Sequence, residues 1–209
     1  MINILCFGDS NTWGYTPGSG ERYNRDSRWT GVLQKLLGAE YYVIEEGLNG
    51  RTTVWDDPIE EYKNGKKQLY SCLQSHKPLD LVILMLGTND LKARYSVSSF
   101  DIMLSMSLLV SIIQKSEAGK GGNAPNLLLL APPLVGDLSK FKEMFEGARA
   151  KSEDFPTYYH NIAHEAGCFF LDTSRIVKTS PKDGIHLDLY NHELLASALH
   201  KKILEITKG

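Results

Sequence analysis

Cysteine is scarce in this 209-residue chain, charge of one sign does not dominate it, and no long hydrophobic run interrupts it. The three cysteines, Cys6, Cys72 and Cys168, are an odd number set far apart and form no C-x-x-C pair. That excludes a disulfide framework and a zinc-knuckle spacing, and reads as three reduced thiols. Cys6, inside Ile4-Leu5-Cys6-Phe7, reads as a small core hydrophobe. Lys plus Arg total 23 against 25 Asp plus Glu, for a net charge of −2. Such a balance carries no basic footprint for nucleic acid or for an anionic membrane. An uncharged, mostly apolar stretch in the middle of the chain, Ile102–Ile113, has 12 residues including three serines. A bilayer span needs about 20 apolar residues. Met1-Ile2-Asn3-Ile4 has no basic lead-in of a signal peptide. The expectation is a soluble cytoplasmic protein with neither a membrane nor a nucleic acid as partner.

What is present is the composition of a globular protein, 42% hydrophobic and 23% charged. There is no internal repeat and no low-complexity tract. The length predicts one domain over 1–209, large enough to bury about 70% of its unfolded surface. Short apolar runs at Ile2–Gly8, Tyr41–Glu46, Leu79–Gly87, Asn126–Ala131 and Cys168–Asp172 predict five strands bounded by Gly, Pro or Asp. They lack period-2 alternation, which points to burial on both faces and hence to a parallel sheet. Helical patterns lie between them. Trp29, Val32, Leu33, Leu36 and Leu37 are expected on one buried face, and Leu104, Leu108 and Ile112 on another. A last helix over about 189–206 turns Leu194, Leu195, Leu199, Ile203 and Leu204 inward. Strand and helix in alternation predict an α/β fold, a three-layer α/β/α sandwich around a five-stranded parallel sheet. Three excursions, 16–28, 54–67 and 132–149, lack a strong period and are candidates for substrate walls or subunit contacts.

Ligands of such a sheet bind beyond the carboxyl ends of its strands. The sequence places chemistry there. Gly8-Asp9-Ser10-Asn11 follows the first strand, Gly47-Leu48-Asn49-Gly50-Arg51-Thr52 the second, and Gly87-Thr88-Asn89-Asp90 the third. Asp183-Gly184-Ile185-His186 precedes the last helix. A serine hydroxyl becomes nucleophilic when a base takes its proton, and the base needs an acceptor to fix its tautomer. Ser10, His186 and Asp183 supply those three roles, with the acid and base three residues apart in one loop. The tetrahedral intermediate needs donors, and the N–H groups of Ser10 and Gly50 with the Asn89 amide make three. Gly50 matters because the missing side chain admits a reacting carbonyl.

These four blocks, in this order, resemble those of the SGNH hydrolases, the GDSL-type esterases and lipases, over nearly the whole chain. The wording around them, Cys6 to Gly14, Arg28-Trp29, Glu46-Gly47-Leu48, Arg51-Thr52-Thr53 and Leu86 to Asp90, is similar to a bacterial arylesterase and acyltransferase branch. The resemblance implies the flavodoxin-like SGNH fold and a Ser10-His186-Asp183 triad. It also implies an oxyanion hole of Ser10, Gly50 and Asn89. The implied activity is hydrolysis of small esters, acetyl or aryl esters foremost, with acyl transfer to alcohols in some members. Homo-oligomers occur in that branch, so self-association is an expectation here. Two positions depart from the family pattern: Asn11 stands where leucine is usual and Asn49 where serine is common.

Asn11, Trp13 (three residues past Ser10) and Ile185 (beside His186) are the expected substrate-binding residues. Asp9 and Asp90 read as strand-end carboxylates that bond loop N–H groups. His160 and His164 stand at i, i+4, but H-E-x-x-H is absent and no third ligand is evident, so no metal and no cofactor is expected. G-x-S-x-G, a P-loop and G-x-G-x-x-G are all missing. Two alternatives stay open: a carbohydrate O-acetylesterase of the same mechanism, and a flavodoxin-like binding or phosphoryl-transfer module using Asp9, Asp90 and a divalent ion.

Overall fold

Five strands pair in the order β2-β1-β3-β4-β5, all parallel, where β1 is Ile2–Gly8, β2 Tyr41–Gly47, β3 Leu81–Met85, β4 Asn126–Ala131 and β5 Phe169–Asp172. The structure is a computed structural model and describes residues 1–208. Each strand lies within one or two residues of its predicted run. Only the third is clearly shorter, because Leu79 bonds to Ala118 instead of a strand partner while Leu86 and Gly87 already turn toward the site.

Alternate side chains of one strand feed two cores. On β1, Leu5 and Phe7 join α3 (Gly65–His76), α4 (Ser99–Gln114), the short α5 (Ala148–Ser152) and α6 (Phe155–Ala166). Ile4 and Cys6 join α2 (Trp29–Leu37) and α7 (Leu189–Lys208) on the opposite face. That is the predicted three-layer sandwich, and it explains why the strands carry no polar alternation. Each Leu, Ile or Phe so buried contributes about 1.5–3 kcal/mol, which outweighs weak local propensity. Local signals set the ends. Asn64 accepts the Lys67 N–H to start α3, and Ser98 and Asp101 form a reciprocal capping box at the start of α4.

Two predicted helix faces are corrected. Leu104 and Leu108 are exposed by 52% and 41%, and Ile102, Met106, Leu109, Val110 and Ile113 take the core side of α4 instead. That helix is apolar nearly all round, so its periodicity does not choose a face. Leu36 is likewise half out of the core of α2. No helix among the described residues is long and apolar enough to cross a membrane.

The order 2-1-3-4-5 reverses direction between β1 and β3, and the crevice beyond their carboxyl ends is where such a sheet binds ligands. Short segments build that crevice: the four-residue helix α1 (Ser10–Trp13) after β1 and the turn at Asn89–Leu91 after β3.

Candidate active site

Ser10 opens α1 directly beyond β1. Asp9 caps that turn, accepting the Asn11 N–H at 3.0 Å. Burial pushes the Asp9 carboxyl up to about 6, against the opposing pull of the Asn11 N–H, His186 and Arg51. Asp90 behaves in the same way: it accepts from the Thr53 N–H and hydroxyl, and burial raises it to about 7. Both carboxylates therefore bond loop groups, as expected of them, and neither lines the pocket.

Asp183 is fully buried and spans its own turn. Its Oδ1 accepts the N–H groups of Ile185 and His186 at 3.0 Å each, and its Oδ2 lies 2.9 Å from His186 Nδ1. Burial alone would raise this carboxyl, but the hydrogen bonds from His186 hold it below the ordinary range. An ionised Asp183 only accepts, so the proton sits on Nδ1 and leaves Nε2 as an acceptor. Nε2 is 2.9 Å from Ser10 Oγ. The turn depends on Gly184, whose φ of +73° is costly for other residues and whose Cβ would sit 2.6 Å from the Asp137 carbonyl.

Gly50 and Asn89 stand beside Ser10 on the pocket wall. Gly50 has φ +79°, and a Cβ there would meet the Glu60 carboxylate at 2.8 Å. The Asn89 Nδ2 donates to the Arg51 carbonyl at 3.1 Å, which orients the amide and leaves its second hydrogen for another acceptor. Arg51 stitches this loop to the sheet: its guanidinium donates to the carbonyls of Gly8 and Glu46 and lies over the Phe7 ring. The N–H groups of Ser10 and Gly50 have no acceptor among the described residues.

The substrate-binding expectations divide. Ile185 lines the pocket, while Asn11 and Trp13 do not. Asn11 is buried behind His186. Its Nδ2 donates to the Ile185 carbonyl at 3.2 Å and its Oδ1 accepts the Leu187 N–H at 3.0 Å, gripping the backbone on both sides of the imidazole. A short polar side chain does this where an aliphatic one has nothing to offer. Trp13 turns to Arg22, whose guanidinium covers its ring at 5.0 Å.

Tyr15 and Phe141 do what the sequence did not assign to them. The Tyr15 ring stacks on His186 with centroids 3.9 Å apart and planes 22° from parallel, and Phe141 meets the imidazole edge-on at 6.0 Å. A strand-like bridge to Arg22 fixes Tyr15. Tyr15, at the entry to the 16–28 excursion, and Phe141, from the excursion at 132–149, thus enclose the imidazole from two sides. The remaining pocket, about 160 Å³, has an apolar side of Tyr15, Phe141, Met144, Phe145 and Ile185. Its polar side holds Asn49, Glu60 and Lys92, two of which no sequence signal beyond position had marked. His160 and His164 are exposed on α6, away from this pocket. Among the described residues, one group of three ligating side chains, Glu46, Cys72 and His76, brings its donor atoms within 4.8 Å of one another, and it does not line the pocket either.

The five-stranded parallel sheet, with a serine, a glycine, an asparagine and a histidine gathered at the ends of its strands, is the architecture of the SGNH hydrolases. The chain belongs to the GDSL-like Lipase/Acylhydrolase family, whose sequence pattern it matches over residues 6–194. It is a carboxylic ester hydrolase. The structure is similar to the M. smegmatis aryl esterase at 42% identity, with 98% of this chain and 99% of that one covered and a TM-score of 0.94. It is similar to a carbohydrate acetylesterase from Sinorhizobium meliloti at 37% identity, with 99% and 100% covered and a TM-score of 0.95. A lipase/acylhydrolase from Enterococcus faecalis, 17% identical with a TM-score of 0.70 over 99% and 97% of the two chains, shares the fold. Comparison with curated protein sequences finds no match.

Proposed function

We propose that the protein hydrolyses esters of small carboxylic acids by two acyl-transfer steps centred on Ser10. His186 Nε2 takes the hydroxyl proton as Ser10 Oγ attacks the ester carbonyl. The N–H groups of Ser10 and Gly50 and the free hydrogen of the Asn89 amide receive the oxyanion. His186 then gives its proton to the leaving alcohol, and the C–O bond breaks to leave an acyl-serine. Water, or a second alcohol, attacks that ester through the same base and restores Ser10. Asp183 keeps Nδ1 protonated and offsets the imidazolium charge. The observation that carries the reading is the continuous line from Oδ2 of Asp183 through both imidazole nitrogens to Oγ of Ser10, 2.9 Å at each link. The small pocket supports a short acyl group, and relatives named for aryl esters and for carbohydrate acetates support small leaving alcohols.

The test is hydrolysis of p-nitrophenyl acetate, butyrate and octanoate by wild type and Ser10→Ala, each with and without EDTA. Acetate turnover that exceeds octanoate turnover, disappears in Ser10→Ala and ignores EDTA is the expected result. Activity that survives the substitution, or that EDTA stops, overturns the reading in favour of a metal-dependent reaction. Homo-oligomerisation is part of this proposal on the strength of the family branch, and a cytoplasmic location on the three unpaired cysteines.

A further inference from the structure

Cys72 and His76 stand at i, i+4 at the end of α3, the spacing that sets two side chains on one helix face. Leu69 and Leu73 anchor that helix in the core. Glu46, next to last in the edge strand β2, comes to meet the pair. One donor atom from each, a carboxylate oxygen, a thiol sulfur and an imidazole nitrogen, all lie within 4.8 Å of one another. His76 Nε2 and Glu46 Oε1 are already 2.9 Å apart. A tetrahedral zinc ion, with bonds of about 2.0–2.3 Å, sets such ligand atoms about 3.4–3.6 Å apart. The donors here bracket that spacing, so side-chain shifts of roughly 1 Å bring them onto an ion.

The donor set has the chemistry as well as the spacing. Thiolate and imidazole suit zinc, whereas magnesium and calcium take oxygen ligands. Thiolate and carboxylate together offset both charges of the ion. His76 ends α3, where the carbonyls of the last turn add negative partial charge. Arg51 is the opposing cation, but its guanidinium is spent on the Gly8 and Glu46 carbonyls and on the Gln68 side chain. Burial, with Glu46 adding to it, pushes the Cys72 thiol up to about 12, so the free thiol is a poor nucleophile. Coordination reverses that, because the ion takes the place of the thiol proton, which leaves to solvent. The side chains of His76 and Glu46 are 31% and 33% exposed, which gives an ion a way in and water a fourth position. We propose that Glu46, Cys72 and His76 bind a zinc ion that pins the end of α3 to the edge strand β2. The three line no part of the pocket beside Ser10, so the ion is a clamp and takes no part in ester cleavage. The inference is independent of the esterase reading, which its own assay decides.

Cobalt(II) is the probe for the full, untagged chain under reducing conditions. A thiolate ligand gives it a charge-transfer band in the near ultraviolet, and tetrahedral geometry gives it strong visible absorption. One equivalent per chain is expected to develop both, and zinc to erase them. Cys72→Ser should lose the charge-transfer band. His76→Ala, at the partly exposed helix end, should bind at least about 100-fold more weakly, beyond what loss of an outer partner costs. Zinc at about 100 times its Kd should raise the Tm of wild type by roughly 5–10 °C and leave that of His76→Ala unchanged. His160 and His164 are the other i, i+4 pair, both exposed, so His164→Ala is the control and should bind as wild type does. Absence of the charge-transfer band, or its survival in Cys72→Ser, overturns the site. Binding lost in His164→Ala overturns it too, as does an equal zinc shift in wild type and His76→Ala or an equal shift with magnesium.

Discussion

Replacing Asn11 by Leu, the residue usual at this place in the family, tests whether the amide rather than its volume holds His186, the proposed base. The two side chains are close in size, so no large cavity arises. What is lost is specific: the Ile185 carbonyl loses its 3.2 Å donor and the Leu187 N–H its 3.0 Å acceptor, both at buried positions. Each buried group left unpaired costs about 1–3 kcal/mol, so the pair costs about 2–6 kcal/mol, partly offset by the apolar gain of leucine. For a chain of this length about 1 kcal/mol lowers Tm by roughly 2–4 °C, which puts the fall at about 4 °C or more. Turnover suffers independently, because His186 lies between the two released groups, and a displacement near 1 Å costs roughly 10²-fold in rate. The assay pairs thermal unfolding with kcat on p-nitrophenyl acetate. Asn11→Ser, which offers a single hydroxyl that cannot span both groups, should fall between the parent and Asn11→Leu. An Asn11→Leu enzyme with unchanged Tm and unchanged kcat refutes the reasoning.

Asn89→Ala should lower kcat by ~10²–10³ while leaving the fold intact, with only the Arg51 carbonyl deprived of a donor. Retention of full kcat, measured in the same ester assay, removes Asn89 from the oxyanion hole. Stability should also carry an acid limb from His192. This residue is buried, accepts the Trp29 N–H at 3.2 Å, and is held by burial at about 4 instead of 6.5. The unfolded chain therefore binds the extra proton first. The contribution is complete above about 6.5 and is lost as pH falls toward 4, a change of about 1–3 kcal/mol. Asp9 and Asp90, raised to about 6 and about 7, work in the opposite direction, but they are common to wild type and variant. Between about pH 7 and pH 4.5 the wild-type urea midpoint should thus fall relative to that of His192→Gln, and a difference that does not change with pH would exclude His192 as the cause.

Sequence legibility followed the physics of each part. Strands β1 and β4 were readable to the residue, because apolar runs buried on both faces have sharp polar ends. The core face of α4 was not, since nearly every side of it is apolar and tertiary packing alone selects Ile102 and Ile113 over Leu104 and Leu108. The residues that meet at the site were readable as types, because serine, histidine and carboxylate at strand ends have few structural reasons to coincide. Their supports were not. Tyr15 reaches His186 only because the chain folds back to Arg22, and Phe141 arrives from an excursion without periodicity. Asn11 was placed on the pocket wall because sequence neighbours of a nucleophile tend to line its site. A one-residue step along α1 instead turned it into the protein. Lys92 and Asp57 are 35 residues apart, and no local pattern announces their pairing.

The bond between His186 and Ser10 joins positions 176 residues apart, and Asn11 reaches Leu187 over the same distance. The proposed nucleophile therefore leaves the ribosome well before its proposed base. At about 5–20 residues per second, roughly 10–35 seconds of synthesis separate them. Throughout that interval Ser10 has no base to take its proton, however well β1, β2 and β3 have paired. On the proposed mechanism, first turnover dates the docking of the His186 loop against the end of β1, which makes ester cleavage a clock for that step of folding.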